Sequence, residues 1–110
     1  MPITLNGSSG ITTPAIQSWV SLTANANVTA GQHILADTSA GAFTLTLPAT
    51  PALNEAIVFA DRSRTWNTNN LTVARNGNTI EGLAEDLTCN VENGNFYLIY
   101  NGTTWRIFSN

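Results

Sequence analysis

The sequence predicts an all-β fold: a small antiparallel β-sandwich or barrel of about 8–9 short strands with an extended N-terminal arm. Three observations carry this. Apolar and polar residues alternate with period two in several short runs. Asn-Gly and Pro punctuate the gaps between those runs. No stretch shows three turns of helical amphipathic spacing. Residues 1–17 form the predicted arm and residues 18–110 the β domain.

The arm, "MPITLNGSSGITTPAIQ", is rich in Gly, Ser, Thr and Pro. Its apolar teeth are Ile3, Leu5, Ile11 and Ile16. A segment of this kind cannot build a core; it reads either as a frayed tail or as an arm whose apolar residues contact a partner surface. The first strand candidates are "WVSLT" and "HILAD". In "AFTLTL", Phe43, Leu45 and Leu47 alternate with Thr44 and Thr46, the pattern of a half-buried strand. "LPATPA" ends that strand at Pro48, because proline cannot donate to the ladder. "LTVAR" repeats the scheme with Leu71 and Val73 inward. "RTWNTNN" reads as a turn or one short helical turn. "DLTCN", "FYLIY" and "TWRIF" complete the set, rich in β-branched and aromatic residues. Asn-Gly pairs stand at 6–7, 76–77, 93–94 and 101–102. The last lies between two strand candidates and predicts a hairpin with positive φ.

Two runs, "AIVFA" and "FYLIY", are apolar on both faces. A chain of 110 residues has little material to cover both sides of a sheet. One face is therefore expected to meet another subunit. The interface candidates are Ile57, Phe59, Phe96, Tyr97, Ile99, Tyr100 and Trp105. The competing reading puts these rings in the core, where aromatics dominate burial.

Composition narrows the function classes. Charged residues are 10% of the chain and the net charge is −3, against about 25% charged in an average soluble protein. There is no lysine, and the basic side chains are Arg62, Arg64, Arg75 and Arg106. Nucleic-acid binding needs clustered cations, which are missing. No apolar run approaches the ~20 residues of a membrane-spanning helix. The N-terminus has neither the basic end nor the apolar run of a secretory signal. Four Asn-X-Ser/Thr sequons are accordingly read as a by-product of Asn and Thr richness.

The chemistry-bearing residues are few. "ILADTSAG" resembles the active-site turn of retroviral-type aspartic proteases, which pair one Asp from each of two short subunits. That would make Asp37 catalytic. The second apolar-Gly-Arg motif, the C-terminal helix and a glycine-rich flap of that family are missing. The alternative makes Asp37–Gly41 a turn, with Asp37 bonding local backbone and Gly41 supplying positive φ. A structural zinc needs about four N/S ligands. His33 and Cys89 are the only His and Cys, so no single-chain site is expected. Glu81, Glu85 and Asp86 in "EGLAED" lack the alternating ligands of a Ca²⁺ loop and read as a solvated acidic loop. No catalytic residue, metal or cofactor is expected. Carbohydrate binding by Trp19, Trp66, Trp105, Tyr97 and Tyr100 is a further alternative without a supporting motif. Trp66, in a polar loop, is the ring most expected to be exposed.

Several segments in order resemble a β-rich module recurrent in bacteriophage virion proteins, tail fibres and small trimeric capsid-decorating proteins among them. They are "DTSAG…TLTLPA.P", "VFAD", "N.LTV.RNG..I.G" and "Y…GTTWR", within Trp19 to Phe108. "ITLNGSSGITTPAI" also resembles short segments of phage tail-fibre proteins. Where such modules often carry Gly after "LPA.P", this chain has Asn54-Glu55. The resemblance implies a homotrimeric, non-enzymatic virion component on the outer surface of a capsid or tail, made in the host cytoplasm. A free-standing chain of this length suits a capsid decoration (cement) protein whose arm contacts the major capsid protein. A tail-fibre or tail-tip component is the alternative, with tail proteins as partners.

Overall fold

The computed structural model describes residues 18–109. Among them there is no helix, and nine strands form two sheets. The strands are β1 (Trp19–Leu22), β2 (Ala26–Asn27), β3 (His33–Ala36), β4 (Phe43–Thr46), β5 (Ala56–Asp61), β6 (Leu71–Ala74), β7 (Leu87–Cys89), β8 (Asn95–Tyr100) and β9 (Trp105–Ser109). One sheet has the order β1-β3-β5-β8-β9, the other β2-β4-β6-β7.

The chain therefore steps from sheet to sheet through its first six strands. β1, β3 and β5 stack in parallel on one side, and β2, β4 and β6 in parallel on the other. Only β7, β8 and β9 bring antiparallel pairing. This corrects the antiparallel expectation. Parallel strands need a long crossover, usually a helix. Here the crossover is a strand of the opposite sheet, so short connections serve and no helix is needed.

Alternation then fills one core between the sheets. Ile34, Ile57, Phe59, Leu98 and Trp105 come from the five-stranded sheet, and Leu45, Leu71 and Val73 from the other; all are fully buried. Phe59 and Phe96 stack at 5.1 Å. The Trp105 Nε1 is buried with no hydrogen-bond partner. Its ring tilts against Tyr100 at 5.4 Å.

Turns follow the punctuation. The β8–β9 hairpin closes over 101–104, with Asn101 Oδ1 accepting from Thr103 N and Thr104 N and Gly102 at φ 96°. Asn54 itself takes a positive φ of 68° and donates its N–H to Tyr100 O. Asparagine tolerates the left-handed region better than other non-glycine residues. "RTWNTNN" makes a single helical turn, with Thr68 N and Asn69 N both donating to Thr65 O.

Candidate functional site

Asp37 follows β3 at a crossover between the sheets. Its Oδ1 accepts from Ser39 N at 3.0 Å and from Ser63 Oγ at 2.7 Å. Arg62 Nη1 stands 3.7 Å from Oδ2. Hydrogen bonds from Ser39 and Ser63, helped by Arg62, bring its carboxyl down to about 2. Such an ionised, donor-saturated group closes a turn. The sign of the linkage follows from the lowered value. The stabilisation is present above the ordinary carboxylate range near 3.8 and is lost as pH falls from there through about 2. Asn keeps an acceptor oxygen for Ser39 N. Asp37→Asn is therefore expected to unfold slightly more easily than the parent at pH 7, with the gap closing near pH 2. Urea unfolding at both pH values checks this; a gap that widens in acid would show the assignment to be wrong.

The acidic loop is more organised than a solvated face. Glu81 accepts from Ile107 N at 2.7 Å and from Arg106 Nε at 3.0 Å. The Ile107 amide first, then Arg106, lowers its carboxyl. Asp86 Oδ1 accepts from Arg75 N. No group of three or more His, Cys, Asp or Glu among the described residues is placed to hold a metal ion. Cys89 is buried, and burial pushes its thiol up to about 12. It is thus an unreactive core side chain.

Two adjoining hollows run along the open side between the edge strands β7 and β9. One, of about 280 Å³, is floored by Trp66, Leu87, Cys89, Phe96 and Ile107. The other, of about 320 Å³, lies between Ile80, Leu83, Leu87 and Ile107 with an acidic rim. Neither presents a nucleophile beside a base.

The largest organised feature is the outer face of the five-stranded sheet. The strand register aligns Trp19, His33, Val58, Tyr97 and Phe108 in one row across all five strands. Trp19 lies 5.1 Å from His33, and Tyr97 stacks on Phe108 at 5.6 Å. Leu35 and Ile99 flank the row. The only Asp, Glu, Lys or Arg side chain the register places on this face is Arg106, which is paired with Glu81. The opposite sheet turns Thr44, Thr72 and Thr88, in register, to its own outer surface. One side of the sandwich is aromatic and the other is hydroxylated.

The predicted interface residues divide across this sheet. Ile57, Phe59, Phe96 and Trp105 are buried in the chain's own core, and Tyr100 packs against it. Tyr97 and Ile99 alone stand on the outer face. Trp19, His33, Val58 and Phe108 join them there, and only the register reveals that company. Trp66 is the opposite surprise. It is 1% exposed, not an open ring. The cause is Asp61, whose carboxylate accepts from Thr65 N, Trp66 N and Asn93 N. It folds the polar loop inward and drives the indole under the sheet, where Nε1 donates to Ala36 O. Ile3, Leu5, Ile11 and Ile16 lie outside the described residues.

Comparison with known proteins gives no match to a family model or to a curated sequence.

Proposed function

We propose that the protein is a non-enzymatic structural component of a bacteriophage virion. It acts as a homotrimeric capsid decoration protein attached through residues 1–17. The observation that carries the assembly part is the row of Trp19, His33, Val58, Tyr97 and Phe108 on a sheet face against which no other described strand packs. Low charge supports the same reading, since a Thr- and Asn-rich surface meets a neighbour with little desolvation of ions. The virion assignment rests on the sequence segments that resemble phage modules. The tail-fibre reading stays as the alternative because "ITLNGSSGITTPAI" resembles tail-fibre segments.

The arm supplies the attachment. Burying one Ile or Leu contributes about 1.5–3 kcal/mol before ordering costs. Three arms on one trimer act together, so weak single contacts add to firm attachment. Deleting residues 2–17 is expected to leave a folded trimer that no longer binds capsids, measured by co-sedimentation with particles lacking the protein. Equal binding by the shortened chain would remove the arm from the mechanism. A particle reconstruction that places the chain on the tail would replace decoration by the fibre reading.

A further inference from the structure

We infer that the trough between β7 and β9 is a docking slot for an extended segment of another protein. That segment adds as a strand to the β7 edge and carries an aliphatic side chain with Arg or Lys two residues away. The inference goes beyond the attachment proposed for residues 1–17 and stands without it.

The trough is the place of a missing strand. Beyond β5 the larger sheet continues with β8 and β9, whereas beyond β6 the smaller one has β7 alone. The β9 edge is closed by the chain itself, since Trp105 N donates to Thr79 O and Glu81 N to Trp105 O. No described strand pairs with the outer edge of β7. Its outer row of backbone groups is a template for one more strand. The trough follows that edge. Leu87 and Ile107 line both hollows; one hollow reaches Glu85 and Asp86 before β7, and the other reaches Asn90 and Val91 after it. In an extended segment beside β7, alternate side chains stand about 6.6–6.8 Å apart on one face, so one enters each hollow. Two of the five exposed large apolar side chains, Leu83 at 56% and Val91 at 65%, stand at the two ends of this trough. An extended occupant covers both.

The hollows differ in the side chain each accepts. The one floored by Trp66, Cys89 and Phe96 has no charged residue in its lining and suits an aliphatic group. The other has an apolar floor of Ile80, Leu83 and Leu87 beside Glu81, Glu85 and Asp86. Glu81 is paired with Arg106, while Glu85 and Asp86 have no ion-pair partner among the described residues. Arg or Lys matches that shape: its stem lies on the apolar floor and its head reaches the carboxylates. Charge complementarity then fixes which segment fits and in which register.

The chain itself does not supply this cation. It has no lysine, and residues 1–17 contain no arginine. Arg62, Arg64 and Arg106 stand in ion pairs with Asp37, Glu92 and Glu81, and Arg75 donates Nη1–H to Asn78 O. The occupant is therefore a different protein and not a second copy.

The test titrates the full, isotope-labelled chain with the end-capped peptide Thr-Arg-Thr-Ile-Thr-Arg-Thr, which reads the same in either strand direction. Nuclear magnetic resonance is expected to show saturable shifts concentrated at the amides of residues 81–91. Replacing both Arg of the peptide by Glu is expected to weaken binding about 5-fold or more, from the loss of two ion pairs at a partly exposed site. Replacing its Ile by Thr is expected to abolish saturation. Glu85→Lys changes an exposed side chain outside every strand, and circular dichroism checks that the fold is kept. It is expected to weaken the Arg peptide about 2–5-fold and to tighten the Glu peptide. No saturable shift at residues 81–91 up to millimolar peptide, shifts spread over both sheets, or equal binding of the Arg and Glu peptides overturns the slot. A chain that binds the Arg peptide here but attaches to no phage particle overturns the proposed attachment and leaves the slot standing.

Discussion

Trp66→Ala is expected to remove about 3–5 kcal/mol of stability, the usual cost of truncating a buried Trp. That is a large part of the 5–15 kcal/mol a domain of this size holds. The indole is 1% exposed. It meets the edge of Phe96 at 6.2 Å and donates Nε1–H to Ala36 O at 3.2 Å. Removing it would extend the neighbouring 280 Å³ hollow into the core and leave the Ala36 carbonyl without this donor. Trp66→Phe keeps much of the ring volume and loses the hydrogen bond, so an intermediate loss is expected. Gly94→Ala probes the same packing from the other side. A Cβ there would stand 3.1 Å from Trp66 Cε3 and 3.1 Å from Val91 O, and the backbone oxygen cannot swing away. Urea unfolding followed by far-ultraviolet circular dichroism measures all three without using Trp66 as its own reporter. A loss below about 1 kcal/mol for Trp66→Ala, the range of an ordinary substitution, would mean that the indole is not the anchor described.

Trp66 also shows what a sequence conceals. A tryptophan among Asn, Thr and Arg reads as exposed, because composition reports neighbours in the chain and not neighbours in space. The information sits five residues upstream in Asp61, which nothing in the local pattern distinguishes from a strand-end aspartate. The strands themselves were legible. Alternation in "AFTLTL" and "LTVAR" reports the inner face directly, and Phe43, Leu45, Leu47, Leu71 and Val73 are buried as it implies. β2 was not legible, since two residues are too few to show a period. Strand direction was not legible either. A strand–turn–strand pattern such as "HILADTSAGAFTLTL" is the same whether the second strand pairs with the first or crosses to the other sheet. Here it crosses. The aromatic outer face was half legible. Runs that are apolar on both sides announce an outer surface, but Trp19, His33 and Phe108 join it only through pairings between distant strands.

Asp61→Ala is expected to be comparably severe, at about 3 kcal/mol or more, although no apolar surface is lost. The side chain is 7% exposed. Its Oδ1 accepts from Thr65 N at 3.1 Å, and its Oδ2 from Trp66 N at 3.1 Å and Asn93 N at 3.0 Å. One carboxylate thus ties the 61–66 loop to the turn before β8. A hydrogen bond to a charged group contributes about 1.5–3 kcal/mol, and a buried donor stripped of its acceptor costs about 1–3 kcal/mol. Of the three donors, the Trp66 amide is buried and has the least access to replacement water. Asp61→Asn offers one acceptor oxygen. With that oxygen in the Oδ2 position it keeps Trp66 N and Asn93 N and turns an NH₂ toward the Thr65 N–H. The expected loss is smaller than for Ala. The two predictions are coupled through one loop. Once Asp61 is gone, part of the Trp66 packing is already lost. The double variant Asp61→Ala/Trp66→Ala should therefore lose less than the sum of the single losses. Native-state hydrogen exchange adds a local readout. The amide of Thr65 should exchange much faster in Asp61→Asn and those of Trp66 and Asn93 somewhat faster, as their retained acceptor loses its charge, while those of β3 and β5 keep their protection. Strict additivity in the double variant, with unchanged exchange at these three amides, would show that Asp61 does not hold the loop that buries Trp66.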